Sequence, residues 1–399
     1  MNMKILFVTA RFPYPPEKGD KAIPYYRLKY LSQTHEITLL TFYETKKELR
    51  HMDKIKPYCK EMVAIKKSIL KSLFNMLVFG FFSKFPFQVL YYRYGTFRKE
   101  LLRLLAAGDF DILHVYMLRI AGYGEDVQLP KIVELIDSMQ LNFQRRMQLE
   151  TFPKNLFFRL ELARLIPYEN RLVKKYHRAI VVSKKDRDYI GHENVVDISL
   201  GVNTDEFKKK GDLADNKTIV FTGNMGYFPN KNALLWFLKK CFDLIRQKVP
   251  DVRLIIAGKN PGAKIKRYDD GEAVRVLGYV DSIADVLNTA RVAVAPMQAG
   301  SGMQFKILEA MACGLPVVTT SIGLGAIPAK NKKTALIADE PGDFANCCIT
   351  LLNDYSVANS IGQKSMQMVR KMFSWEKNIS SLIRLYQEVL REYHEEQIG

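Results

Sequence analysis

Short, continuously apolar segments alternate with helical stretches along this chain, and the alternation runs through twice. Residues 4–9, 36–42, 111–116, 131–136 and 178–183 read as the strands of a first series. Residues 218–222, 253–257, 274–277 and 292–295 read as those of a second, followed by a short strand at 317–318. Strands without a polar alternate have to be covered on both faces, which is the condition of a parallel sheet in an α/β protein. Between them, 22–32 has helical spacing, with Tyr25, Leu28 and Leu31 three apart and Pro24 tolerable in a first turn. The stretch 141–176 follows a helical face through Leu156, Leu160 and Ala163 as far as Pro167, and 233–249 supplies the helix after 218–222. Two such series predict two Rossmann-like domains facing a central cleft. Their join falls near Gly201-Val202-Asn203-Thr204-Asp205, ahead of the charged stretch 208–215.

A chain of 399 residues is long enough for two domains that each bury a core. Its 48% apolar and 26% charged content is that of a soluble globular protein. Met1-Asn2-Met3-Lys4 leads directly into the first strand, without the charged start, long apolar run and small-residue site of a secretory signal. Cys59, Cys241, Cys313, Cys347 and Cys348 lack metal-type spacing; their odd number and the vicinal pair argue against a disulfide framework. The expectation is a protein of a reducing cytoplasm.

One segment carries chemistry. Gly300-Ser301-Gly302-Met303-Gln304 reads as a small-residue loop, Phe305 to Ala312 as a short helix, Gly314-Leu315-Pro316 as a break and Val317-Val318 as a buried strand. A loop at a helix start turns free backbone N–H groups and the positive end of the helix dipole toward an anion. Lys306 adds a full positive charge in the first turn, and Glu309, three residues on, lies on the same face. A phosphate site beside a carboxylate suits a nucleotide diphosphate carrying hydroxyls, of which a sugar nucleotide is one. The same segment also reads as an ordinary loop–helix–strand of an α/β domain.

Gly223-Asn224-Met225 after a strand, Ile256-Ala257-Gly258, Leu277-Gly278-Tyr279-Val280, the run from Lys306 to Val318 and Phe373-Ser374-Trp375-Glu376 before the last helix resemble, in order and spacing, the retaining glycosyltransferases of family 4. The Gly-x-Met loop followed by Pro229-Asn230, with the later Gly300-Ser301-Gly302, most resembles the exopolysaccharide-associated sugar transferases among them. The resemblance implies an α/β GT-B fold. Residues 1–202 would form an N-terminal, acceptor-binding Rossmann-like domain onto which a C-terminal helix, 375–399, packs back. Residues 203–374 would bind the nucleotide sugar. It also implies a metal-independent, retaining hexosyltransferase with no cofactor, a UDP- or GDP-sugar donor and a glycan or lipid-linked acceptor in cell-surface polysaccharide synthesis.

The family pattern transfers residue by residue. Glu309 takes the place of the second glutamate of an E-x7-E pair, which contacts the donor ribose in relatives; the first falls at Ser301 and is absent. Sugar contacts then fall to Ser301 or to the backbone of Gly302, Met303 and Gln304. Asn224 stands where many relatives have a phosphate-binding Arg beside the first glycine, here Gly223, and Lys231 is only an approximate match to their Lys, which leaves Lys306 for charge compensation. Gly278 closes a further strand at the donor side. In the N-terminal half, the loop from Arg11 to Asp20 resembles the family's glycine-containing loop, with Gly19 allowing close approach to the transferred sugar. Its other reading is a proline-stiffened surface turn. His114 stands where relatives often have a histidine, facing the acceptor or lying between sheet and helix. Asp137 ends a strand, orienting an acceptor hydroxyl or capping the helix that begins near Ser138. Lys306, Glu309, Asp137 and His114 are the catalytic candidates. Two Asp-x-Asp triplets, Asp109-Phe110-Asp111 and Asp186-Arg187-Asp188, read as solvated carboxylates and not as a metal site.

The net charge of +18 is uneven: residues 46–103 hold 14 basic and four acidic side chains. Within them, 69–85 is apolar and aromatic but too short and too broken, by Gly80 and Ser83, for a spanning helix. Two readings stand, insertion into the interface of an anionic membrane or a core helix with solvated lysines at its ends. Without a helix-turn-helix, zinc finger or RNA-binding aromatic motif, the charge does not point to nucleic acid. The expected location is the cytoplasm, peripheral on the inner membrane face. Two alternatives to an active transferase remain, a non-catalytic nucleotide-sugar-binding partner subunit and a GT-B sugar-nucleotide epimerase.

Overall fold

A computed structural model describes residues 2–16, 19–149, 151–299 and 303–398. The chain divides into two compact units, Met1–Ser199 together with Asn378–Gly399, and Leu200–Lys377. The first holds β1 (Lys4–Thr9), β2 (Glu36–Tyr43), β3 (Glu61–Lys66), β4 (Ile112–Tyr116), β5 (Lys131–Ile136), β6 (Arg178–Val181) and β7 (Val195–Asp197). They form one sheet in the order β3-β2-β1-β4-β5-β6-β7. The second holds β8 (Thr218–Thr222), β9 (Arg253–Ala257), β10 (Val274–Gly278), β11 (Val292–Ala295), β12 (Val317–Thr319) and β13 (Leu336–Ile337), in the order β10-β9-β8-β11-β12-β13. Every neighbouring pair is parallel. Both are Rossmann-like sheets. In each, strand order reverses once, between β1 and β4 and between β8 and β11, and a crevice opens outside the strand C-termini at that point.

All the strands read from the sequence are present, and β3, β7 and β13 are additional. β3 is a half-exposed edge strand, while β7 and β13 are three and two residues long, too short to leave a periodic signal. Prolines mislead in two places. The first helix is Gly19–Leu31, so Pro24 lies inside it, and Pro167 lies inside the helix Lys154–Lys175 without ending it. The break in 141–176 comes earlier, between Met139–Leu149 and Lys154–Lys175. The expected 233–249 helix is likewise two, Phe228–Lys240 and Phe242–Lys248.

The first unit is held by a buried polar network. Arg27 donates to both carboxylate oxygens of Glu134 on β5, at 3.1 and 2.8 Å, and to Asn378 Oδ1 at 2.5 Å. His114 on β4 lies under the Phe7 ring, with Nδ1 2.6 Å from Tyr386 Oη and Nε2 3.2 Å from Glu134 Oε2. Burial alone would raise the Glu134 carboxyl, but the charge of Arg27 and the His114 contact outweigh it and hold it at about 2. Burial pushes the His114 imidazole down, so it is neutral. The side chain of His114 lies between sheet and helix, wholly inaccessible and in contact with Tyr386 of the last helix, Trp375–Ile398. That helix is tied down again by Arg178 to Glu392 at 2.5 Å and by Asn378 to the Ser199 carbonyl.

Removing one partner of a buried ion pair strands the other charge, at a cost of about 3–5 kcal/mol. Glu134→Leu is therefore expected to lower the stability of the chain by that amount in urea unfolding, with Arg27→Met/Glu134→Leu recovering much of the loss.

Candidate functional site

At the C-terminal edge of the second sheet, three adjacent strands end in glycines with positive φ: Gly223 after β8 (147°), Gly258 after β9 (136°) and Gly278 closing β10 (69°). The first two are obligatory. A Cβ on Gly258 would sit 2.0 Å from the Gly223 carbonyl oxygen, and one on Gly223 would meet Asn230 Nδ2 at 2.9 Å and Lys306 Cε at 3.3 Å. Gly223 N donates to the Ala257 carbonyl at 3.0 Å and Gly258 N to that of Gly278 at 2.6 Å, so the loops interlock. Asn224, a donor-site candidate, fastens them: its Oδ1 accepts from Gly226 N at 3.0 Å and from Asn260 Nδ2 at 3.1 Å. Both lone pairs are used, so this amide oxygen holds the loops together.

Lys306 sits over the crevice between β8 and β11. It belongs to the helix Phe305–Ala312, which follows β11. Its ammonium donates to Asn230 Oδ1, lies 3.7 Å from Met297 Sδ just beyond β11, and stands 5.5 Å above the Phe221 ring of β8. Asn230 is buried in the first turn of Phe228–Lys240 and anchored through Nδ2 to the Asn224 carbonyl at 3.0 Å. Burial lowers the amine to about 8, against the partial support of Glu309. Glu309, half-buried on the same helix, is raised to about 7 by burial and then by the charge of Glu206. A lysine whose ammonium has few partners and whose charge is disfavoured by burial makes this crevice the candidate anion site of the second unit.

The remaining candidates are placed as follows. Gln304 is the extended residue before the helix Phe305–Ala312, with no capping bond from its side chain, and Met303 precedes it, both half-buried. Ser301 and Gly302 lie outside the described residues. Gly278 faces open space. In the first unit, Gly19 is the first residue of Gly19–Leu31, its carbonyl 3.5 Å from Tyr116 Oη. Asp137 follows β5 and accepts from Asn142 Nδ2 at 3.3 Å. At the helix start after it, Ser138 Oγ takes the Leu141 amide at 3.4 Å and Glu169 that of Met139 at 3.1 Å. The backbone there is strained: Ile136, β-branched, has φ 75°, and Met117 at the end of the neighbouring β4 has φ 87°. Asp186 corrects the reading of the second Asp-x-Asp triplet as solvated. It is buried, accepting from Ser138 N at 3.1 Å and pairing with Ser183, so it is a structural residue. Asp109 is exposed and paired with Lys4 at 3.2 Å.

Sequence reasoning assigned no role to Asn230, Met297 or Phe221. The Pro229-Asn230 pair was the one available signal, but no spacing rule connects an asparagine to a lysine 76 residues away.

Residues 216–354 match the family model described as Glycosyl transferases group 1. The chain is 22% identical to an uncharacterized 44.6 kDa protein in the cps region of Klebsiella pneumoniae, over 96% of this chain and 99% of that one. It is also 22% identical to the phosphatidyl-myo-inositol mannosyltransferase of Mycobacterium leprae, over 72% of this chain and 76% of that protein. Among solved structures it resembles the sucrose-phosphate synthase of Thermosynechococcus elongatus, with a TM-score of 0.72 at 15% identity, covering 98% of this chain and 100% of that one. It also resembles Anabaena HepE in complex with UDP and glucose, with a TM-score of 0.69 at 15% identity, covering 97% and 100%.

Two measurements check this geometry. Gly258→Ala is expected to cost about 2 kcal/mol or more in unfolding free energy, whereas Gly262→Ala, whose added methyl meets nothing within 4 Å, stays within about 0.5 kcal/mol. Competitive amine labelling across pH should place Lys306 at half-reactivity near 8.

Proposed function

From a Glycosyl transferases group 1 domain at 216–354 within a GT-B fold of two Rossmann-like units, we propose that the protein is a retaining, metal-independent hexosyltransferase. It moves a sugar from a UDP- or GDP-sugar to a glycan or lipid-linked acceptor in cell-surface polysaccharide synthesis, peripheral to an anionic membrane. The observation that carries this reading is the Lys306 ammonium, held by Asn230 over the crevice between β8 and β11. Breaking the anomeric bond builds negative charge on the departing diphosphate. Lys306 and the first amides of Phe305–Ala312 lie ready to receive that charge, without reorganising at the moment of reaction. Glu309 accepts from donor hydroxyls. With no carboxylate assigned to the sugar position, attack proceeds on the face the diphosphate leaves, and a donor phosphate oxygen takes the acceptor's proton.

Support for the donor class comes from HepE, whose structure holds UDP and glucose. Support for the acceptor class comes from the mycobacterial phosphatidyl-myo-inositol mannosyltransferase and from the relative in a cps region. The basic, apolar segment within 46–103 supports the membrane.

The test is a titration of UDP-, GDP- and ADP-sugars against wild type and Lys306→Ala. One sugar nucleotide should bind selectively, and the variant should lose about ten- to hundredfold in affinity, the worth of one charged hydrogen bond. Because the free amine sits at about 8, wild-type affinity should decline as pH rises through that value, while Lys306→Ala should not follow. Binding without sugar transfer would favour the non-catalytic partner subunit, and interconversion of the free sugar nucleotide the epimerase.

A further inference from the structure

The helix Ile69–Phe82 is packed inside out. Its buried residues are Ser72, Asn75 and Gly80. Ser72 Oγ lies 2.8 Å from Tyr94 Oη, Asn75 Nδ2 donates to the Arg93 carbonyl at 2.8 Å, and Gly80 is closed over by the Phe87 ring. Its exposed residues are the large apolar ones, with Leu70 80%, Phe81 84% and Phe82 91% accessible and Phe74 and Leu77 at 60%. A helix patterned for water does the reverse. Gly80 makes the arrangement possible, because a Cβ there would come within 2.5 Å of Phe87.

The face does not end with this helix. Phe87 stacks on Phe157, with centroids 5.4 Å apart, at the start of Lys154–Lys175. There Phe152, Leu156, Phe157 and Leu160 are exposed as well, recurring at helical spacing. Exposed apolar side chains of two helices from distant parts of the chain are thus joined through the Phe87–Phe157 stack, instead of being scattered singly.

The surrounding charge is predominantly positive. Residues 62–99 contain seven lysines and arginines and no acidic residue. Lys66, Lys71, Lys84 and Arg93 are exposed around the helix. At its root is a cavity of about 470 Å³ whose lining includes Lys66, Lys67, Lys71 and Leu70. Lys67 is committed to Glu44 at 2.8 Å and to the rings of Tyr91 and Tyr92; Lys66 and Lys71 are exposed at the rim, Lys71 with its ammonium 5.1 Å from the Tyr94 ring. A two-fold dimer through this face would set the same cations against each other. An anionic bilayer matches both components, acyl chains for the apolar side chains and phosphates for the cations. Among the described residues no helix is long and apolar enough to cross a membrane.

We propose that Ile69–Phe82 and the start of Lys154–Lys175 together form a monotopic docking face that inserts into the interface of an anionic phospholipid bilayer, with headgroup phosphates on Lys66, Lys71 and Lys84. This rests on the membrane part of the function proposed above and specifies the surface that meets it.

The experiment is co-sedimentation of the full chain with vesicles of phosphatidylcholine alone or with about one third phosphatidylglycerol. The wild type should partition to the anionic vesicles, and less so at high salt. Two variants are compared: Leu70→Gln/Phe74→Gln/Leu77→Gln/Phe81→Gln, and Lys66→Gln/Lys71→Gln/Lys84→Gln. Each should lower partitioning at least about tenfold with thermal melting unchanged, since the altered side chains are exposed. Failure of wild type to bind anionic vesicles, equal binding to neutral ones, or full binding by the glutamine variants would overturn the proposal. So would a dimer that the apolar variant dissolves, which would mark the face as a self-association surface. Sugar-nucleotide binding is measured on the same samples without lipid. Its loss alone would count against the donor site and leave the docking face standing, and intact donor binding without vesicle binding would do the opposite.

Discussion

The loops after β8 and β9 depend on one backbone contact, the nesting of the Gly223 carbonyl against Gly258. The approach is closer than any residue with a Cβ permits. It brings the loops after β8 and β9 within reach of each other, so that Asn224 bonds Asn260 and its carbonyl receives Asn230. Asn230 in turn holds Lys306. Four links of short range thus run from a glycine pair to an ammonium group, and none involves a long flexible arm until the last. The helix carrying Lys306 is positioned independently, through β11 and β12, so the two sides of the crevice are fixed by separate strands.

What the crevice does to charge follows from burial. An amine at about 8 and a carboxyl at about 7 are each displaced toward neutrality by burial. The two groups are therefore close to their ionisation points, where a negative charge placed beside the lysine would restore its full charge. In the first unit the same low dielectric is used differently. Glu134 faces Arg27 and His114 closely enough that the pair stays ionised and the carboxyl falls to about 2. One network pairs its buried charges within the chain, and the other leaves its lysine and carboxyl displaced toward neutrality.

Much of this was legible in the sequence because parallel strands advertise themselves. A run such as Lys4–Thr9 or Thr218–Thr222 has no polar alternate, and its length separates it from a helix. The glycines after β8, β9 and β10 and the Lys306–Glu309 pair were legible for the same local reason. What was hidden depends on contacts between distant residues. Edge strands such as β3 borrow their order from a neighbour. The burial of Asp186 follows from Ser138 and Ser183, and its own surroundings of lysine and arginine pointed outward. The two readings of 69–85 could not be separated by composition, since a core helix and a lipid-facing one are equally apolar. Only the burial of Ser72 and Asn75 shows which face turns inward.

The last helix bears on how the chain becomes a protein. The second unit is a single continuous stretch, Leu200–Lys377, whereas the first is assembled from Met1–Ser199 and from residues beyond Lys377. Arg27 obtains Asn378, and His114 obtains Tyr386, only once those late residues exist. During synthesis on a ribosome the first sheet therefore emerges early but waits with an uncovered groove and unquenched polar groups, while the second unit completes itself. Order of emergence and order of completion are opposite, and the vulnerable interval, for aggregation or proteolysis, belongs to the half of the chain that is made first.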